Sequence, residues 1–259
     1  NIKDAPWLTS MTTEEGLFPA ATFIKNNTLL QELDQRWDEI APFLLDYNNT
    51  VPTDLMSNVT SQIRKVYFGN KTIDYASRRE LIQMMSDRLF NVGIGKAAKL
   101  QASVTKSPVF FYTFGYRGKY SVSESFCKCR DDLGVGHVDD LMYLLGVGSD
   151  DLSPLESEED RRVVWRMVDL WSSFIQTGEP SVGPDILWRP VPPQDKNISF
   201  MLISSSRNLT MSTSENLGNK DFWDSLPINE LSFDKSGQMA NGMHLLCFMI
   251  LVAFLILRP

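Results

Sequence analysis

Residues 108–116 read PVFFYTFGY, and this run decides the fold class. It is dense in aromatic and β-branched residues and bounded by Pro108 and Gly115, which predicts a buried strand. Upstream, Pro6 to Met11 is a second short apolar run, and it ends in a polar turn, Thr12-Thr13-Glu14-Glu15-Gly16. Between the two runs, Leu30, Leu33, Trp37, Ile40 and Leu44 recur at spacings of three and four, predicting an amphipathic helix. Ser77-x-x-Glu80 has the form of a capping box opening another helix, with Leu81, Met85 and Leu89 on one side. Downstream, Arg117 to Val138 reads as a loop. Residues 157–177 then make the clearest helix, with Glu158, Glu159 and Asp160 at the end where the helix dipole favours anions. Val164, Met167, Val168, Trp171, Phe174 and Ile175 form its apolar stripe, and Gly178 and Pro180 stop it. Ile198 to Met211 predicts a closing strand pair. Strands alternating with long helices indicate an α/β sheet, without internal repeats or low-complexity linkers before residue 227.

Composition narrows the function classes. The chain has 259 residues, 43% of them hydrophobic and 22% charged, which is ordinary globular material. Lys plus Arg total 25 against 32 Asp plus Glu, a formal charge of −7, whereas a phosphate-binding surface needs the opposite bias; nucleic acid is not an expected partner. The sequence starts at Asn1 and runs directly into Ala5-Pro6-Trp7-Leu8 without the layout of a signal peptide, so polypeptide is expected upstream. Asn-x-Ser/Thr sequons at Asn26, Asn48, Asn58, Asn70, Asn197 and Asn208 point to a glycosylated protein on the secretory route.

Two further features bear on compartment. Cys127 and Cys129 sit one residue apart, an awkward spacing for a mutual disulfide along an extended strand, so they are expected to be free or to pair elsewhere. No second Cys/His pair accompanies them as a zinc site would require. After a polar spacer at residues 228–242, residues 243–257 form a nearly uninterrupted apolar tail, short for a bilayer span of about 20 residues. Ser236-Gly237 upstream of it gives the outline of a GPI-attachment signal, with a tail-anchoring helix or a buried terminal helix as alternatives.

Chemistry has few candidates. Of the two histidines, His244 lies in the apolar tail and His137 in a glycine-flanked loop, Leu133-Gly134-Val135-Gly136-His137-Val138-Asp139-Asp140-Leu141. An imidazole in such a loop can approach a substrate and act as a general base. From composition alone it also reads as a surface histidine beside two aspartates, which make a poor transition-metal site. Glu15, at the end of the first strand, could orient the histidine's Nδ1–H and stabilise its imidazolium; alone, it is a solvated turn glutamate.

Taken together and in order, the motifs say more. Glu14-Glu15-Gly16 after a strand, Gly-x-Gly-His137-x-Asp-Asp-Leu141, Leu170-Trp171-x-x-Phe174-x-x-x-Gly178-x-Pro180 and Trp188-x-Pro190 resemble the C-terminal half of the carboxylesterase/cholinesterase family of α/β hydrolases. The resemblance covers residues 1–227, a single domain portion, and its flavour is that of insect type-B esterases. It implies a mostly parallel sheet flanked by helices, and a serine esterase in which Glu15 is the acid and His137 the base of a triad. The nucleophile elbow Gly-x-Ser-x-Gly and the oxyanion loop are not in this sequence; the resemblance places them upstream of residue 1, so this stretch alone should be inactive. It implies a small carboxylic ester as substrate, no metal or cofactor, and Asp140 as a support for the loop. A non-catalytic adhesion or signalling ectodomain of the same fold is the alternative. The protein is expected to be secreted or held on the outer face of the plasma membrane through its tail.

Overall fold

The computed structural model describes residues 4–129, 131–146, 157–184 and 186–230. The apolar tail and His244 lie outside the described residues. Four strands form one sheet in the order β1 (Trp7–Thr12), β2 (Val109–Phe114), β3 (Ile198–Ile203), β4 (Leu209–Ser214). The first three run parallel, with Leu8 opposite Phe110 and Tyr112 opposite Met201, and β4 closes the sheet antiparallel to β3.

All six residues of β2 are buried, as its composition requires. Alternation along a strand sends Phe110, Tyr112 and Phe114 to one face, where they meet Met142 and Tyr143 of α8 (Asp139–Leu145) and Val163, Met167 and Leu170 of α9 (Glu158–Thr177). Val109 and Phe111 point the other way, onto Ala98 and Ala102 of α6 (Val92–Val104). The aromatic strand is therefore core of a parallel-type α/β sheet, covered on both faces. A separate helical layer is built from α1 (Leu17–Ile24), α2 (Asn27–Gln35), α3 (Trp37–Leu44), α4 (Met56–Tyr67) and α5 (Arg78–Ser86) around its own apolar core.

Several local expectations need correction. The stripe from Leu30 to Leu44 belongs to two helices, because Arg36 leaves helical geometry (φ −114°, ψ 33°) and the chain turns to place the Trp37 Nε1–H on the Thr60 carbonyl at 3.0 Å. The capping box is not Ser77 with Glu80. Asp74 accepts from the N–H groups of Ala76 and Ser77, Ser77 Oγ accepts from Asp74 N–H, and a single 3₁₀ turn leads into α5. Glu80 instead pairs with Lys71. The end of α9 is as expected, Gly178 being left-handed at φ 79°; its start is fixed by a capping box that the sequence reading did not name, Ser157 and Asp160 bonding reciprocally. Its buried face, however, is Val163, Met167 and Leu170, while Val168 and Ile175 are exposed. The segment Arg117 to Val138 is not all loop: α7 (Val122–Cys127) forms within it, opened by a Ser121/Glu124 capping box.

Cys127 and Cys129 pair with each other. The expectation against this assumed an extended strand, but Cys127 ends a helix and Lys128 turns left-handed (φ 50°), bringing the two Cα atoms to 5.1 Å, within disulfide range.

Candidate active site

β1 delivers two consecutive glutamates at its C-terminal end. A continuation of its pairing, the isolated bridge between Glu14 and Gly136, docks the loop before α8 alongside them. Glu14 N–H donates to Val135 O at 2.9 Å, and Val135 N–H donates back to Glu14 Oε2 at 2.7 Å. Gly134 makes the approach possible: its φ is +107°, and a Cβ there would lie 2.2 Å from Glu14 Oε2.

The neighbouring carboxylate turns the opposite way. Glu15 is 4% exposed, its Oε1 accepts from Thr12 N–H at 2.6 Å, and its Oε2 lies 2.6 Å from His137 Nδ1. A carboxylate accepts only, so Nδ1 carries a proton, and in the neutral tautomer this fixes, Nε2 keeps its lone pair. The structure thus joins the two residues singled out in the sequence. The His137 side chain is 30% exposed, and Phe18 and Phe90 face its ring at centroid distances of 5.7 and 5.0 Å. One aromatic from α1 and one from the turn after α5 fix the imidazole plane while its outer nitrogen is left for chemistry.

Gly16 after the acid is a packing requirement. Its N–H donates to Ser86 Oγ at 2.8 Å, and a Cβ would come within 2.3 Å of Ile82 O and Ser86 N, so α5 passes directly beneath the acid turn. Behind His137, Val138 is left-handed (φ 66°), which folds Asp139 and Asp140 back into the protein. Asp140 accepts from Tyr112 Oη at 2.9 Å, tying α8 to the central strand. Asp139 accepts from Gly136 N–H and Val122 N–H, both at 2.7 Å. Burial pushes both carboxyl groups up, Asp139 to about 6, the Ser121 hydroxyl, the two amides and Arg117 opposing the shift. Both aspartates are buried: Asp140 ties the loop to the central strand, in keeping with the support expected of it, and Asp139 joins it as a second buried carboxylate.

Sequence reading did not single out Asp139, Glu14, Ser86, Phe18 or Phe90. The glycine-rich loop with acids on both sides was the available signal for Asp139, and the paired glutamates after β1 for Glu14; the others are brought in by packing of α1, α5 and the turn after it. Among the described residues there is no cluster of His, Cys, Asp and Glu suited to hold a metal ion.

The carboxylesterase family profile matches residues 1–223. The chain belongs to the carboxylesterase family. It is 36% identical over 230 residues to venom carboxylesterase-6 of Apis mellifera, covering 88% of this chain and 41% of that protein. Esterase FE4 of Myzus persicae is 37% identical over 191 residues, 73% of this chain and 33% of the relative. The present carboxylesterase-family chain thus spans about two-fifths of the length of such relatives. The fold is that of the juvenile hormone esterase of Manduca sexta, solved with OTFP covalently attached, at a TM-score of 0.64 and 18% identity over 84% of this chain and 40% of that one.

Proposed function

We propose that this chain supplies the acid and the base of a serine-type carboxylic ester hydrolase. The observation that carries the reading is the bond between the buried Glu15 carboxylate and His137 Nδ1 at 2.6 Å, with Nε2 left available. In this reading a serine from outside the present sequence attacks the ester carbonyl while His137 Nε2 takes the hydroxyl proton. His137 then hands that proton to the departing alcohol, and water repeats the sequence on the acyl-enzyme. Glu15 stays ionised throughout, holding the ring and stabilising its cationic form. Membership in the carboxylesterase family and relatives named as esterases support the same chemistry, with small carboxylic esters as the substrate class.

Secretion is part of the proposal. It is supported by the six sequons, of which Asn26, Asn58, Asn70 and Asn208 are exposed, by the Cys127–Cys129 disulfide, and by the word venom in one relative's name. Attachment to the outer membrane face rests on residues 243–257 alone; among the described residues no helix is long and apolar enough to cross a membrane. Release of the protein from cells by a phosphatidylinositol-specific phospholipase would distinguish a GPI anchor from a membrane-spanning tail.

The deciding experiment replaces His137 in the full-length protein. His137→Ala should remove turnover of a short-chain aryl ester by roughly a thousandfold or more, and Glu15→Gln, which cannot hold the imidazolium, should lower kcat by a comparable order. Wild-type turnover in His137→Ala refutes the reading.

A further inference from the structure

The His137 loop and α7 are joined through one carboxylate. Asp139 is 2% exposed; its Oδ2 accepts from Gly136 N–H and its Oδ1 from Val122 N–H, each at 2.7 Å. Gly136 immediately precedes His137, and Val122 is the first residue of α7. The Asp139 backbone N–H also returns to Gly136 O at 3.1 Å, so residues 136–139 close into a tight turn around the imidazole's own backbone. On the α7 side the fit is close: a Cβ on Gly136 would lie 2.3 Å from Ser123 Oγ, and Phe126 stands edge-on to Phe18, the ring that faces His137. The helix that Asp139 grips therefore forms one wall of the histidine's surroundings.

We infer that Asp139 is a positioning residue for His137, fixing the backbone of residues 136–138 against α7 so that Nδ1 meets Glu15. The inference rests on the proposed ester hydrolysis. An aspartate at the first position of a short helix has an ordinary local role, favouring the helix dipole. Here, though, both carboxylate oxygens are turned to amides outside α8, one on the histidine loop and one on a separate helix. Displacement of a general base by about 1 Å can cost about a hundredfold in rate. A latch and a mere cap thus predict different readouts.

The test uses the full-length protein, with active sites counted by a covalent phosphonate titrant and kcat and KM measured for a short-chain aryl ester. Asp139→Asn keeps the shape but presents an NH2 to one of the two amides. It should lower kcat per titrated site about tenfold to a hundredfold, with KM within about twofold. Val122→Pro is the second variant. It deletes the donor and exchanges a partly buried apolar side chain for an apolar ring, at a first helical position that accepts proline, after Ser121 in extended geometry (φ −126°, ψ 141°). It should lower kcat in the same direction by about threefold or more. Wild-type kcat per titrated site in both variants, with losses only in yield or melting temperature, overturns the inference; if Asp139→Asn does not fold, an unchanged kcat in Val122→Pro overturns it alone. Full activity in His137→Ala is a different result, removing the ester-hydrolase reading and this inference with it.

Discussion

Helix α1 packs against α5 on one side and α7 on the other, and the two neighbourhoods it joins are held in different ways. On the α5 side, Leu30, Leu33, Ile63, Leu81 and Met84 are each at most 1% exposed and contribute only apolar surface. On the α7 side, the chain from Arg117 to Asp140 is fastened by charges. Arg117 binds Glu124 and Asp132, Glu14 binds the Val135 amide, Asp139 binds two amides and Asp140 binds Tyr112. Apolar burial is non-directional and indifferent to small rotations. Short hydrogen bonds to carboxylates fix position and angle together, at the cost of desolvating the charge. The region that must hold a proton-transfer geometry relies mainly on the second kind; the helical layer rests mainly on the first, with polar ties such as Trp37 to Thr60 and Arg64 to Asp34 added to it.

Three measurements would break or sharpen this contrast. The largest effect is expected in the apolar layer. Leu33→Ala should cost about 2–5 kcal/mol of stability in a urea melt while leaving kcat per titrated site unchanged. A rate loss without a stability loss would erase the distinction between the two regions. A smaller effect concerns Asp139. Burial raises its folded-state pKa to about 6 from an ordinary value of 3.8, so the folded form binds the proton more tightly than the unfolded one. The stability this group contributes is therefore full below about pH 4 and is lost as pH rises through 6, on the order of 3 kcal/mol. Asp139→Asn, which never ionises, should gain on wild type between pH 4 and 7. The charged groups in play are Arg117, which opposes the shift, and Tyr143, whose own ionisation Asp139 hinders. A gap independent of pH would show that Asp139 carries no buried charge. The smallest effect is at the surface: Phe43, 70% exposed on α3, should tolerate Phe43→Ala within about 0.5 kcal/mol. A larger loss would mean that the outer side of α3 is covered in the full-length protein.

Legibility followed the range of the forces. β2 could be read because its residues are buried whatever lies beside them, and α9 because three acids and Gly178 mark its ends chemically. The break at Arg36 was hidden because an apolar spacing of three and four runs unchanged through the join, and only the reach of Trp37 to Thr60 demands the turn. The rotation of the α9 stripe was hidden for a related reason. Val163 and Leu170 face the aromatic strand, whereas Val168 and Ile175, 37% and 77% exposed, occupy directions that no element among the described residues covers.

By itself, the sequence determined the alternation of strands and helices, the family, and the identity of the two residues on which the proposed chemistry depends, because composition, caps and ordered motifs are local properties. Tertiary structure decided that Glu15 and His137, 122 positions apart, meet at 2.6 Å. It also decided that Cys127 closes on Cys129, and that Asp139 points inward as a latch rather than outward as a surface charge. The disulfide depends on the end of α7 and the left-handed turn at Lys128; the other two depend on the parallel sheet bringing the Gly136 loop alongside Glu14, a register set by burial on both faces and by no periodicity within either segment.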